Sequence, residues 1–185
     1  MIDFTDQAVI VTGAGRGLGR HYALEFARRH ASVVVNDLGC SVDGVGGDPS
    51  VSDLVVEEIR STGGKGVASH DSVRTQEGGA AIVQTTLENF GRVDAVVSNA
   101  GIVEMMPFED IPSENWQRMI NTHLDGSFYV SQPAYKVMKG QGYGRLVFIA
   151  SSAGAFGMPY GTHYAAAKAG IFGLTNNIAL EFSSR

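Results

Sequence analysis

The sequence predicts an α/β fold of the doubly wound type, in which helices cover both faces of one parallel sheet. Strand-like and helix-like stretches alternate along the chain without a linker or an internal repeat, which is typical of βαβ units. A glycine-rich turn joins the first predicted strand to the first predicted helix, as a tight βα connection requires. The 185 residues, 44% of them hydrophobic, are enough for one domain with a sheet covered on both sides.

The individual elements follow from apolar runs and apolar periodicity. The predicted strands are the apolar runs 8–11, 32–36, 67–69, 93–97 and 145–150. The predicted helices, whose apolar residues recur with helical spacing, are the stretch around 22–27 and segments 51–61, 75–90, 116–139 and 161–182. The glycine-rich segment 39–50 is predicted to be a flexible loop. Because ligands bind at the carboxyl edge of such sheets, Asn99 and Ser151, which follow two of the strands, are placed at the functional edge.

The first glycine turn has the spacing of an anion-binding element. Gly13, Gly17 and Gly19 follow the first apolar run and precede the first helical pattern. Such glycines let the backbone approach a pyrophosphate, whose charge is met by free N–H groups at the helix N-terminus. The spacing departs from G-x-G-x-x-G, because Leu18 and Arg20 occupy two of its positions. The alternative is a tight βα connection without a ligand.

Asp37 ends the second predicted strand, 18 residues after Gly19. A carboxylate at this place suits the ribose hydroxyls of an adenosine and repels a 2′-phosphate, which predicts NAD as the cofactor. The alternatives are a solvated aspartate in the turn before Gly39, and an NADPH-dependent ketoreductase in which Arg16 meets the 2′-phosphate.

Tyr164, Lys168 and Ser151 form a third constellation. Tyr164 and Lys168 are four residues apart and share one face of a helix. An ammonium beside a phenol favours the phenolate, which can exchange a proton with an alcohol, and the Ser151 hydroxyl can hold the substrate oxygen. The alternative is a chance pair on a solvated helix face.

Together these residues resemble the short-chain dehydrogenase/reductase family over the whole chain. The matching elements are the turn from Thr12 to Gly19, Asn99-Ala100-Gly101, and the set Ser151, Tyr164 and Lys168. More narrowly, the chain resembles a subgroup that oxidises (3R)-hydroxyacyl-CoA with NAD, through the stretches 36–39, 42–47, 71–73 and 123–128. The resemblance implies a single Rossmann-type dinucleotide-binding domain, residues 1–185, and hydride transfer between a secondary alcohol and nicotinamide.

The resemblance also assigns roles to residues. It implies that Tyr164 is the general base, that Lys168 assists it and holds the nicotinamide ribose, and that Ser151 orients the substrate oxygen. The implied cofactor-binding residues are Gly13, Arg16, Gly17, Leu18, Gly19, Asp37, Asp71, Ser72, Asn99, Ala100 and Gly101, together with Tyr164 and Lys168. For Asp71, near the adenine edge, the alternative is a turn-capping aspartate. No metal is expected.

His123 stands where the family usually has an asparagine that holds a water of the proton relay. Asn121 lies two residues earlier and would face elsewhere on the helix. A histidine can donate and accept hydrogen bonds, so it can hold the same water and act as a fourth catalytic residue. The alternative is a histidine packed in a helix interior.

Composition excludes several classes of function. A net charge of −5 and a pI near 5.5 argue against nucleic acid or an anionic membrane as the partner. The sequence shows neither a positively charged leader nor an apolar segment long enough to span a membrane, and its single cysteine fits a reducing compartment, so we expect a cytoplasmic protein. The expected partner is a small alcohol or ketone substrate. A dinucleotide-binding protein without turnover is the alternative from another class.

Two further expectations concern the whole molecule. Helices 127–139 and 161–182 carry apolar residues on more than one face, which predicts a homodimer or homotetramer with paired helices. These residues are Phe128, Val130, Tyr135, Val137, Ile171, Phe172, Leu174, Ile178 and Leu180. The family continues into two more strands that this sequence lacks, so the domain is expected to be truncated after the catalytic helix. We expect the ordered part of a longer protein; the alternative is a truncated reading frame.

Overall fold

A computed structural model describes residues 2–183 of the chain and places five parallel strands in one sheet. The strands are β1 (Ala8–Thr12), β2 (Ser32–Asn36), β3 (Lys65–Ser69), β4 (Ala95–Ser98) and β5 (Arg145–Phe148). The helices are α1 (Gly17–Arg28), α2 (Ser50–Ser61), α3 (Gln76–Phe90), α4 (Ser113–Ile120), α5 (Gly126–Gln141), α6 (Ser152–Phe156) and α7 (Thr162–Ser183). The doubly wound α/β prediction is confirmed.

The strand order is β3-β2-β1-β4-β5. The chain adds β2 and β3 on one side of β1 and then crosses over to add β4 and β5 on the other side, so the strand order reverses between β1 and β4. Val11 of β1 is in register with Val35 of β2 on one side and with Val97 of β4 on the other. In sheets of this kind the loops after the two central strands diverge and leave a crevice at the carboxyl edge. The topology therefore places the glycine turn after β1 directly beside the segment that begins at Asn99.

Alternating side chains of β1 supply the two halves of the core. Val9 and Val11 pack with residues of α1 and α2 on one face of the sheet. Ile10 packs with residues of α3 and α5 on the other face. Each of these side chains is fully buried, and each contributes about 1.5–3 kcal/mol of hydrophobic stabilisation. This two-sided burial anchors β1, whose carboxyl end leads into the candidate site.

The segment predicted as one helix, 116–139, is interrupted. A π-helical turn at Asn121–Asp125 separates α4 from α5. The Ser127 hydroxyl donates to the His123 carbonyl at 2.6 Å within this region. Such turns insert one extra residue into a helix and are frequent at functional sites. The short helix α6, which follows Ser151, is a second feature that the apolar pattern did not indicate.

None of the helices within residues 2–183 is both long and apolar enough to cross a membrane.

Candidate active site

The glycine turn after β1 is packed too tightly for larger residues. Gly13 has a φ of +63°, and a Cβ at this position would lie 2.7 Å from the Ala100 Cα. At Gly19 a Cβ would lie 2.1 Å from the Gly13 carbonyl oxygen. The backbone of the turn and the start of α1 are therefore in direct contact, with no side chain between them and the cleft.

The N-terminus of α1 has backbone N–H groups available for an anion. In the described part of the chain no side chain caps this end, and the first turn of α1 contains no acidic residue. The first N–H groups of a helix lack intrahelical partners and attract negative charge. The turn and helix thus provide the donor set that a pyrophosphate requires.

Asn99 and Thr12 fix the turn to the fourth strand. The Asn99 side-chain amide donates to the carbonyl oxygens of Thr12 and Gly13, each at 3.0 Å. The Thr12 hydroxyl accepts from the N–H groups of Asn99 and Ala100 at 3.1 and 3.0 Å. These hydrogen bonds join the loops after β1 and β4, so Asn99 acts by positioning the backbone. Thr12 was not predicted as a site residue.

Asp37 is held by two backbone donors. Its Oδ2 accepts from the Gly15 N–H at 2.8 Å, and its Oδ1 accepts from the Gly39 N–H at 2.6 Å. Each carboxylate oxygen keeps further acceptor capacity. The two contacts fix the carboxylate at the end of β2, facing the glycine turn.

A cleft of about 580 Å³ lies along this edge of the sheet. Ten of the eleven predicted cofactor residues outside the catalytic helix line it: Gly13, Arg16, Gly17, Leu18, Gly19, Asp37, Asp71, Asn99, Ala100 and Gly101. Further lining residues, which were not predicted for the site, include Leu38, Cys40, Ser41, Val42, Gly44, Val73, Arg74, Ile102, Val103 and Thr122. The glycine turn, the free N–H groups of α1 and the carboxylate together fit a dinucleotide.

Ser72 is absent from this lining. Its hydroxyl accepts from the Arg74 N–H at 3.2 Å, in the turn that leads into α3. Asp71, its neighbour, does line the cleft, and its carboxylate accepts from the Ser69 hydroxyl at 3.0 Å. Asp71, Val73 and Arg74 of this loop therefore line the cleft, whereas the Ser72 hydroxyl is engaged in a local turn.

Tyr164 and Lys168 lie on one face of α7, next to α6. The Lys168 ammonium is 5.8 Å from the centre of the Tyr164 ring. Ser151 caps α6 by accepting from the Ala153 N–H at 3.1 Å. In α6, a Cβ at Gly154 would lie 2.6 Å from the Lys168 carbonyl carbon, so α6 and α7 touch at this point. The packing therefore places α6, whose N-terminus is capped by Ser151, against the segment of α7 that carries Lys168.

Lys168 is buried although it carries an ionisable group. Its side chain is 5% exposed, and its ammonium donates to the Ile149 carbonyl at 2.5 Å. Burial lowers the pKa of Lys168 to about 8, because desolvation disfavours the charged form. The lysine is therefore still cationic at neutral pH, but it titrates close to it.

His123 is a packed histidine that also contacts α7. Its ring meets the Tyr164 ring edge-on at a centroid distance of 5.2 Å. Nε2 lies 2.8 Å from the Ile102 oxygen and 3.2 Å from the Ile102 nitrogen, and the shorter contact places the proton on Nε2, which donates to the carbonyl. Burial and the nearby charge of Lys168 lower the pKa of His123 to about 4, so the ring is neutral.

The two alternatives for His123 therefore overlap. The ring is only 3% exposed, as a packed residue would be. Its Nδ1, however, is buried without a hydrogen-bond partner among the described residues, and it is the acceptor of the neutral ring. This nitrogen has the chemistry needed to hold a water beside Tyr164.

Ile102 lies between the cleft and His123. It lines the cleft and also receives the His123 hydrogen bond, while Ser151, Tyr164 and Lys168 lie outside the lining. The arrangement therefore has two parts: a cleft suited to a dinucleotide and, beyond Ile102, a phenol–ammonium pair suited to proton transfer.

Comparisons with known proteins agree with this geometry. The chain is 48% identical over 176 residues to a short-chain type dehydrogenase/reductase of Mycobacterium tuberculosis, covering 95% of this chain and 62% of that protein. It is 49% identical over 178 residues to the peroxisomal multifunctional enzyme type 2 of Mus musculus, covering 96% of this chain and 24% of that protein.

A solved structure and a family model complete the comparison. The crystal structure of a short chain dehydrogenase from Mycobacterium avium superposes with a TM-score of 0.89 at 38% identity, over 98% of this chain and 64% of that one. The family model described as short chain dehydrogenase matches residues 7–185. The resemblance seen in the sequence is confirmed: the chain belongs to the short-chain dehydrogenase family.

Proposed function

We propose that the protein is an NAD-dependent oxidoreductase that interconverts a secondary alcohol and a ketone. The observation that supports this most strongly is the meeting of two sites at Ile102. On one side lies the cleft that ends in Asp37, and on the other lie His123 and Tyr164. Neither site alone indicates the reaction, but a dinucleotide cleft beside a proton-transfer group is what alcohol oxidation requires.

The cofactor is held, in this proposal, by the turn from Gly13 to Gly19, by the N-terminus of α1 and by Asp37. When bound, NAD supplies the acceptor for the hydride. The chain's own residues perform the proton transfer: the Lys168 ammonium stabilises the Tyr164 phenolate and holds the nicotinamide ribose, and Ser151 orients the substrate oxygen. The phenolate accepts the hydroxyl proton of the alcohol and becomes a phenol. His123 keeps the loop at Ile102 in place and offers Nδ1 to a relay water.

The preference for NAD rests on Asp37. The Gly15 and Gly39 N–H groups hold its carboxylate at the cleft wall, where a 2′-phosphate would meet a fixed negative charge. Gly15 is buried and Asp37 is half-buried. Solvent therefore screens the repulsion between the Asp37 carboxylate and a 2′-phosphate only in part. We expect NAD to bind at least about tenfold more tightly than NADP, which corresponds to about 1.4 kcal/mol.

An NADPH-dependent ketoreductase is the second candidate, because Arg16 also lines the cleft. Its guanidinium lies close enough to Asp48 to help lower the pKa of that carboxyl, after the larger effect of hydrogen bonds from Ser50. Titrating both cofactors by fluorescence against the wild type, Asp37→Ala and Arg16→Ala distinguishes the candidates. A preference for NADP that Arg16→Ala removes and Asp37→Ala leaves unchanged would support the ketoreductase.

Catalysis is tested by turnover with 3-hydroxyacyl thioesters and hydroxysteroids, the substrate classes to try first. Tyr164→Phe is expected to lower kcat by about 10²-fold or more while NAD affinity stays within a few fold, because it removes the hydroxyl that exchanges the proton and little binding surface. Retention of more than about a tenth of kcat would refute the role of Tyr164. NAD binding without turnover across the whole alcohol panel would instead support a binding protein.

We also propose that α5 and α7 pair with their copies in a homodimer or homotetramer. Phe128, Phe172 and Leu180 are substantially exposed, whereas Val130 and Ile171 are buried within the chain. The proposed interface therefore contains fewer residues than the sequence predicted, since Val130 and Ile171 belong to the core of the chain. Sedimentation at micromolar concentration tests it, and a fully active monomer would refute it.

A further inference from the structure

The segment 39–48, which we call the strap, forms a hydrogen-bonded turn within the glycine-rich segment 39–50. It begins after β2 and returns before α2. Its base is closed by the Asp48 N–H, which donates to the Leu38 carbonyl at 3.0 Å. Within it, the Gly44 N–H donates to the Ser41 carbonyl and the Ser41 N–H to the Val45 carbonyl, each at 2.9 Å.

Side chains reinforce this turn. The Ser41 hydroxyl lies within hydrogen-bond distance of the Val45 carbonyl, at 2.8 Å, and of the Asp43 carboxylate, and its single proton can be donated to either acceptor. The Asp43 carboxylate accepts in addition from the Val45 N–H at 3.3 Å. Hydrogen bonds from Ser41 and Val45 lower the pKa of Asp43, so the carboxylate remains an acceptor at neutral pH. The strap therefore has a defined shape of its own.

The tip of the strap reaches the loop that follows β4. The Val103 N–H donates to the Val42 carbonyl at 2.9 Å. Next to this bond, Gly44 packs on the Ile102 side chain, where a Cβ at Gly44 would lie 3.0 Å from the Ile102 Cγ2. Gly44 also has a φ of +82°, which disfavours any other residue there. The contact thus joins loops that leave two different strands of the sheet.

The residues of this contact form a wall of the cleft. Val42 and Gly44 of the strap line it together with Ile102 and Val103, and the glycine turn lies in the same lining. The strap therefore crosses from the β2 side of the cleft, where Asp37 lies, to the β4 side, where Ile102 contacts His123. The Val42–Val103 hydrogen bond therefore joins the two sides of the cleft at one of its walls.

We propose that the strap is an additional binding element for the dinucleotide, and that the Val42–Val103 hydrogen bond is a latch that opens for cofactor exchange. This inference rests on the proposed function. One backbone hydrogen bond is a weak closure, worth a factor of roughly 2–10 in an equilibrium constant. The latch is therefore expected to slow cofactor release several fold without trapping the cofactor.

The test measures NADH dissociation by stopped-flow fluorescence, with excess NAD as the displacing ligand. Val103→Pro lacks the N–H of the latch, and Val103→Ala keeps it and serves as the matched control. We expect Val103→Pro to release NADH about 3–10-fold faster than Val103→Ala. Asp43→Ala, which weakens the strap but leaves the Val103 N–H intact, should change the rate in the same direction. Circular dichroism and urea midpoints verify that each variant is folded.

A disulfide cross-link tests the effect of holding the latch closed. Val42→Cys with Val103→Cys, in a Cys40→Ser background, allows a disulfide across the latch. Oxidation should slow NADH release, and a reductant should restore the rate. Equal rates for Val103→Pro and Val103→Ala, together with no effect of the disulfide, would overturn the latch and leave the proposed function intact. A wild type that binds no nicotinamide dinucleotide would overturn both.

Discussion

Replacing Lys168 with methionine is expected to stabilise the fold at neutral pH while it impairs the site. The pKa of Lys168 falls from its ordinary value of 10.5 to about 8 because the side chain is buried. At 1.36 kcal/mol for each pKa unit, keeping the charged form in the fold costs roughly 3 kcal/mol. Methionine removes this cost, but it leaves the Ile149 carbonyl without the donor that now lies at 2.5 Å, at a cost of about 1–2 kcal/mol. The expected net gain at pH 7 is about 1–2 kcal/mol.

The pH dependence distinguishes this cause from better packing. Below pH 8 the lysine is protonated in both the folded and the unfolded chain, so the wild type carries the full cost. Between pH 8 and 10.5 the unfolded chain holds a proton at Lys168 that the folded chain has lost. Wild-type stability therefore rises with pH across this window. Lys168→Met has no such titration. The difference in free energy of unfolding that favours this variant over the wild type should therefore shrink as the pH rises from 8 to 10.5 and then change sign.

Urea unfolding followed by circular dichroism measures the effect, at about pH 7 and about pH 10. Lys136→Met, an exposed lysine on α5, is the control for the general effect of replacing a lysine. Comparing variants at the same pH removes the contribution of the other titrating groups. A variant less stable than the wild type at neutral pH, or a difference that is equal at both pH values, would refute the reasoning.

Three other substitutions have equally definite expectations. Gly19→Ala should weaken NADH binding at least about tenfold, because its Cβ would lie 2.1 Å from the Gly13 oxygen, whereas Gly140→Ala, at an open site on α5, should leave the Kd unchanged. His123→Asn should retain most of kcat and His123→Leu should lose it with the fold intact, because only asparagine can donate to Ile102; equal losses of kcat would argue against a positioning role. Asp94→Ala should lower the free energy of unfolding by about 1–3 kcal/mol, because the buried Ala8 N–H loses its acceptor at 2.8 Å. Asp94→Asn keeps an acceptor, so its free energy of unfolding, measured by urea titration, should fall by less.

The interrupted helix and the hydrogen bond at the tip of the strap are features that the sequence did not indicate. Apolar spacing continues through Asn121–Asp125, because a π-helical turn changes backbone hydrogen bonding and leaves the apolar pattern almost intact. Glycine content predicts a flexible loop over 39–50, but it does not indicate the hydrogen bond from the Val103 N–H, about 60 residues away in the chain, to the Val42 carbonyl. A long-range contact of this kind leaves no local signature.

Local chemistry in the sequence was sufficient for the fold class, the family and the position of the glycine turn. Strand and helix periodicity, the glycines beside β1 and the spacing of Tyr164 and Lys168 are properties of neighbouring residues, so they can be read without coordinates. Tertiary structure alone determined which groups meet: Asn99 with the Gly13 carbonyl, His123 with Ile102 and Tyr164, and Val42 with Val103. The burial that lowers the pKa of Lys168 was likewise determined by the tertiary structure alone. Desolvation and hydrogen-bond partnership depend on distances between segments remote in the chain, which only packing of the sheet and helices sets.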